Sequence, residues 1–193
     1  MKKLLLLNAN QNLEHSRTYY LTKKVIEKYE LDKKYDIKEI NLYDLNLNYL
    51  DEEKIIERNE LVFQRKFDDK MFDLAKEVKD ADFIIVSAPM FDMSYPAVLK
   101  VFIENVSVSN LLFTYDGKEI KGLCKAEKLL YVTTRGWGIK NRDDYGYKNI
   151  VQVANMWGIN NTKLIGVSKT DLAKRPFRDI DDFVSKLGSL DEE

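Results

Sequence analysis

Hydrophobic and polar positions in this chain switch between two rhythms. Short contiguous apolar runs are followed by stretches whose apolar residues recur every three to four positions, and the pair repeats from one end to the other. Residues 4–7 are consecutive leucines and read as a strand buried on both faces. Residues 17–29 then read as a helix, with Leu21, Val25 and Tyr29 at helical spacing. Residues 35–43 alternate through Ile37, Ile40 and Leu42, the pattern of a strand nearer an edge. A charged helical stretch over 51–79 carries the stripe Phe63, Phe67, Met71, Leu74 and Val78, with a break expected at 58–60. Strands at 83–86, 129–134 and 163–167 follow. Helices are expected from Pro96, with Val98, Val101, Phe102 and Asn105 on one face, over Tyr145–Trp157, and over 179–189. Asp116-Gly117 within 112–120 marks a tight hairpin.

Strands alternating with helices specify the α/β class, a parallel sheet covered by helices on both faces. Right-handed crossovers leave few strand orders. Ligand-suited loops after the first, third and fourth strands favour the order 2-1-3-4-5. In that order the first and third strands are neighbours whose chains leave in opposite directions, and a crevice opens at their carboxyl ends. With no repeat, low-complexity tract or Pro/Gly-rich linker, residues 1–193 read as a single domain.

Charge removes one class of function. Lys plus Arg number 31 against 32 Asp plus Glu, so a general nucleic-acid partner lacks electrostatic support. The single cysteine, Cys124, has no internal disulfide partner and reads as a small buried hydrophobe. A catalytic thiol would need a base beside it, and the chain's one histidine, His15, is far away in sequence. The apolar part of the opening segment is too short for a secretory leader, and no run reaches membrane-spanning length. The expectation is a soluble cytoplasmic protein with no membrane or nucleic-acid partner.

Three loops carry the candidate chemistry. The first, after residues 4–7, contains Asn10 and ends in His15-Ser16-Arg17-Thr18 at a helix start, where free N–H groups and the helix dipole attract anions. Ser16 is equally suited to capping that helix. The loop has no glycine, so neither the Gly-x-x-x-x-Gly-Lys phosphate loop nor the Gly-x-Gly-x-x-Gly dinucleotide fingerprint is present. Asn8 and Asn10 stand where a Mg²⁺-binding receiver domain would need acidic residues. The second loop, Pro89-Met90-Phe91-Asp92-Met93, offers apolar and aromatic lining. The third, Thr134-Arg135-Gly136-Trp137, offers close backbone approach at its glycine and a broad indole surface. Together they describe a crevice with a phosphate at one end and a flat ring at the other. No metal-ligand cluster and no obligatory acid or base stands out.

Over most of its length the chain resembles the FMN-dependent NADH-azoreductases, within the flavodoxin-like NAD(P)H:quinone oxidoreductases. The resemblance is carried by residues 3–7, Ser16-Arg17-Thr18, Ser87-Ala-Pro-Met-Phe91, residues 99–104, Phe113-Thr-Tyr115 and Thr133-Thr-Arg-Gly136. It implies a flavodoxin-like three-layer sandwich with a small β-hairpin insertion. It implies FMN as cofactor, its phosphate held by Asn10, Ser16, Arg17 and Thr18. Pro89, Met90, Phe91, Asp92 and Met93 would pass along the isoalloxazine, and Thr134, Arg135, Gly136 and Trp137 would contact its pyrimidine side. It further implies NAD(P)H as co-substrate, a small-molecule electron acceptor (a quinone or azo compound), and a homodimer. Two departures stand out. Asp92 and Met93 occupy positions where the family usually has Asn then Phe, and an ionised Asp only accepts hydrogen bonds. Trp137 replaces a usual second glycine. These departures keep open a flavodoxin-like binding or regulatory module that has lost the flavin. A third reading, a one-electron carrier, is opposed by the near-neutral charge.

Overall fold

The computed structural model describes residues 1–190; residues 191–193 of the domain expected over 1–193 lie outside the described residues. In chain order the first half contains β1 (Lys2–Asn8), α1 (Arg17–Lys28), α2 (Leu31–Lys34), β2 (Tyr35–Asn41), α3 (Glu52–Phe63), α4 (Asp73–Asp80) and β3 (Phe83–Ser87). The second half contains α5 (Ala97–Val106), β4 (Phe113–Tyr115), β5 (Ile120–Gly122), β6 (Lys128–Thr134), α6 (Tyr145–Trp157), β7 (Thr162–Val167) and α7 (Pro176–Ser185).

The contiguous apolar runs become the strands of one parallel sheet in the order β2-β1-β3-β6-β7, which is 2-1-3-4-5 once the β4–β5 hairpin is set aside. Side chains alternate across it. Leu5, Leu7, Ile84, Val86, Leu129 and Tyr131 face α4, α5 and α6, packing on Phe72, Val78, Leu99, Phe102, Ile150 and Trp157. Leu4, Leu6, Phe83, Ile85, Leu130 and Val132 face α1 and α7, packing on Leu21, Val25, Ile180 and Val184. Interior strands buried on both faces show no polar alternation, which is why a run of leucines is a strand here. Each such side chain contributes about 1.5–3 kcal/mol by leaving water.

Four expectations shift. The 51–79 stretch breaks after Phe63, not at 58–60, because Arg65 takes a left-handed φ of 56° and turns the chain out of the helix. The stripe loses Phe63, which is 90% exposed, and gains Phe72, which is fully buried. The buried face of α5 is Leu99, Phe102, Ile103 and Val106, one position around from the face expected through Val98, Val101 and Asn105. The closing helix starts at Pro176, which occupies its first turn. In the hairpin, Gly117 (φ 92°) makes the turn, and the Asp116 carboxylate accepts from the Lys118 and Glu119 amides at 2.9 Å each.

Candidate functional site

Register brings the carboxyl ends of the interior strands level, with Asn8 beside Ser87 and Ser87 beside Val132. A net of buried side-chain hydrogen bonds then fixes α1 above that edge. Asn8 Oδ1 accepts from the Asn10 backbone at 3.0 Å and from Asn10 Nδ2 at 2.8 Å. Asn10 Nδ2 also reaches Ser87 Oγ at 2.8 Å, and Asn10 Oδ1 accepts from Ser16 Oγ at 3.0 Å. Ser16 Oγ in turn caps α1 by accepting from Tyr19 N at 3.1 Å. Thr22 Oγ1 donates to Thr18 O at 2.9 Å and so accepts from Ser87 Oγ at 2.7 Å, and Thr18 Oγ1 and Thr134 Oγ1 are hydrogen-bonded at 2.6 Å.

Tyr19 N is bonded to the cap and Tyr20 N to Ser16 O. Among the described residues the amides of Arg17 and Thr18 have no backbone acceptor, and they stand at the positive end of the helix dipole. They open into a crevice of about 360 Å³ lined by Gln11, Asn12, His15, Ser16, Arg17, Thr18, Pro89, Met90, Phe91, Thr134, Gly136, Thr170 and Asp171. That volume lies in the range of small-molecule and cofactor sites. A second cavity of about 370 Å³ lies at the opposite end of the strands, among Tyr29, Tyr35, Phe83 and Asn161. It lacks the switch-point geometry that makes the carboxyl edge the ligand-binding edge.

Eight of the residues expected at the site therefore line one crevice: Ser16, Arg17, Thr18, Pro89, Met90, Phe91, Thr134 and Gly136. Five do not line it. Asn10 is buried with both side-chain ends committed inside the net, so it positions Ser16 rather than facing the crevice. Asp92 (φ 47°) and Met93 (φ 67°) are the central residues of a tight turn closed by paired Phe91–Ser94 backbone bonds at 2.8 and 2.9 Å. Both project outward, and an Asp in the first turn position is explained by its tolerance of left-handed backbone. Trp137 is 71% exposed and stands off the rim.

Arg135 is fully buried and turns beneath its loop. Its Nε donates to Asp144 Oδ2 at 2.8 Å, and its Nη1 donates to Asn141 Oδ1 at 2.8 Å and to Ser168 Oγ at 3.2 Å. Nη2 has no partner among the described residues and lies over Gly166, where a Cβ would come within 2.5 Å of it. The guanidinium thus ties together the loops after β6 and β7 and the start of α6. Backbone bonds complete the tie: Arg135 N to Val167 O at 2.8 Å, Thr170 N to Arg135 O at 3.1 Å, and Met90 N to Thr134 O at 3.0 Å. Nearby, burial pushes the Tyr131 hydroxyl well above the ordinary phenol range, so it stays neutral.

Gln11, Asn12, His15, Thr170 and Asp171 line the crevice without having been singled out as ligand contacts from the sequence. For Thr170 and Asp171 a signal existed: they follow the fifth parallel strand, and every loop at the carboxyl edge reaches the same side of the sheet.

The donor set fits an anionic group joined to a flat ring. Two free amides and Arg17 suit a phosphate, and Met90 and Phe91 suit an aromatic surface; the space beside Gly136 is taken by the Asp171 carboxylate, whose Oδ2 lies 2.1 Å from where a Cβ would stand. Among the described residues no group of three His, Cys, Asp or Glu is placed to hold a metal, and no helix is long and apolar enough to cross a membrane.

Comparison with known proteins follows the same line. The flavodoxin-like fold family matches residues 2–189, and the chain belongs to that family. An FMN-dependent NADH:quinone oxidoreductase of Clostridium perfringens is 28% identical over 175 residues, covering 89% of this chain and 88% of that protein. A second protein of that description, from Clostridium acetobutylicum, is 31% identical over 140 residues, covering 72% and 70%. Among solved structures, an azoreductase from Bacillus anthracis superposes with a TM-score of 0.81 at 18% identity over 96% of both chains. An FMN-dependent NADH-azoreductase from the same species, solved with FMN, gives 0.77 at 19% identity over 98% and 100%.

Proposed function

From that membership we propose that the chain is an FMN-dependent oxidoreductase that passes hydride from NADH or NADPH to a quinone or azo compound. The observation that carries the reading is the convergence, in one crevice at the β1–β3 switch point, of the free amides of Arg17 and Thr18 with Met90, Phe91 and Gly136. When bound, FMN supplies the hydride-accepting and hydride-donating ring. The protein's share is binding, orientation and electrostatics. Arg17 and the α1 amides would hold the phosphate, with Asn10 and Ser16 keeping that helix end in place. Pro89, Met90 and Phe91, which line the crevice, would supply the surface for the ring. The Gly136 N–H, which has no backbone acceptor among the described residues, would stabilise negative charge on the bound ring. Arg135 sets the height of that backbone from below. Asp92, Met93 and Trp137 stand outside the crevice lining, and no side chain is assigned as obligatory acid or base.

The reading includes a homodimer, supported by the outer surface of α3. That helix buries none of its residues and exposes Ile56 and Phe63. It also includes a cytoplasmic location, where the nicotinamide donor is found and a single thiol stays reduced. The test is NADH oxidation with a benzoquinone, with and without added FMN. Turnover that requires both FMN and quinone is expected; FMN binding without NADH oxidation would contradict the enzyme and leave an electron carrier. A second reading, a module that has lost the flavin, rests on Asp171, whose carboxylate already neutralises Arg17. A protein that leaves FMN fluorescence unchanged at saturation would favour it.

A further inference from the structure

Arg17 is the cation at the phosphate end of the crevice, and it is already paired. Its Nη1 lies 2.5 Å from Asp171 Oδ1, and both residues line the crevice. The Asp171 carboxylate also sits directly over Gly136, where a Cβ would come within 2.1 Å of its Oδ2. A carboxylate and a phosphate present the same acceptor geometry to a guanidinium fork. Here one carboxylate oxygen already accepts from Nη1, and its negative charge stands where a second anion would arrive.

The backbone around Asp171 is pinned. Lys169 N bonds to Trp137 O at 3.1 Å, Thr170 N to Arg135 O at 3.1 Å and Asp171 N to Gly136 O at 3.3 Å. Releasing Arg17 therefore requires rotation of the Asp171 side chain, not movement of the loop. That side chain is 62% exposed and has solvent to rotate into.

We propose that Asp171 is an internal competitor for the phosphate, a residue that sets how tightly this site holds a phosphorylated flavin relative to an unphosphorylated one. The proposal rests on the FMN reading above and specifies its regulation. Without ligand, Asp171 pairs with Arg17 at the wall of the crevice. Binding of the phosphate exchanges one anion for another on Arg17 and leaves the displaced carboxylate as a near neighbour. The affinity for FMN is thereby held down while that for riboflavin, which brings no second anion, is not.

The test is fluorescence titration of the full chain with FMN and with riboflavin, in the natural protein, in Asp171→Asn and in Asp171→Ser. An exposed ion pair is worth up to about 1 kcal/mol, so each variant is expected to bind FMN about fivefold tighter. Riboflavin affinity is expected to change less than twofold. In an Arg17→Gln background the Asp171→Asn gain should fall to less than half, because the pair is the source of the coupling. FMN affinity equal to or weaker than the natural protein's in both variants, or an equal gain for riboflavin, overturns the proposal and leaves FMN binding intact. Failure of the natural protein and both variants to bind either flavin overturns the cofactor reading, and this proposal with it.

Discussion

Replacing Asp144 with Ala tests whether the loops around the crevice hang on the buried Arg135. In the folded protein the two side chains are 1% and 0% exposed and meet at 2.8 Å. The same carboxylate caps α6, its Oδ1 accepting from Tyr147 N at 2.8 Å. Gly146 and Tyr131 crowd it so closely that a Cβ on Gly146 would lie 3.2 Å from Asp144 Oδ1 and 3.1 Å from Tyr131 Oη. The alanine variant leaves a guanidinium uncompensated in a dry site, a change that costs about 3–5 kcal/mol when one partner of a buried pair is removed. Loss of the cap adds about 1 kcal/mol. Together these make about 4–6 kcal/mol, a large part of the ~5–15 kcal/mol that holds a typical domain folded. Urea unfolding of the flavin-free protein measures it as a fall in midpoint at unchanged slope. A companion variant carrying both Arg135→Met and Asp144→Ala removes the charge as well as its partner, and should be more stable than Asp144→Ala alone. A loss below about 1 kcal/mol for Asp144→Ala, set against the pair cost above, or a double variant less stable than the single, would refute the claim that an uncompensated charge is the cause.

Three further outcomes are expected. Gly122→Ala should cost about 3 kcal/mol in the same unfolding assay, because the new Cβ would fall 2.0 Å from the Gly158 amide, a backbone atom that cannot step aside. Met93→Gly should raise stability by up to about 1 kcal/mol in the same assay, since a left-handed φ of 67° strains a side chain by about 1–2 kcal/mol and glycine returns only part of that gain as lost chain entropy. Cys124, its thiol pushed up to about 12 by burial with Lys79 opposing weakly, should resist thiol reagents at pH 8 and react once denaturant opens the fold. The sign for stability follows: the unfolded chain releases this proton first, so the contribution is complete below the ordinary thiol range and is lost as pH rises toward about 12.

Most of the scaffold was legible because burial on both faces writes itself into composition. Residues 4–7 and 83–86 are apolar without interruption, and a strand order follows from where their loops lead. The bounds of α6 were readable because Trp157 is followed by Gly158, which ends the helix with φ 93°. The end of α3 was not, because its left-handed position is filled by Arg65, a residue that announces no stop. At the site, Ser16 to Thr18 and Pro89 to Phe91 were legible as loop ends at the carboxyl edge. The fate of Arg135 was not, since arginine is almost always exposed and its partner Asp144 becomes visible only when the loop folds under the sheet. Asp92 illustrates the converse. Its identity looked like a question about the cofactor, and the backbone shows a turn requirement instead.

On the proposed function, one crevice would hold the phosphate at the start of α1 and the ring against Met90 and Gly136. Diffraction from crystals grown with FMN tests it most directly. Density for the phosphate at the Arg17 and Thr18 amides, with the ring between Met90 and Gly136, is the predicted result. Density for FMN at the amino edge of the sheet, near Tyr29 and Tyr35, would contradict it.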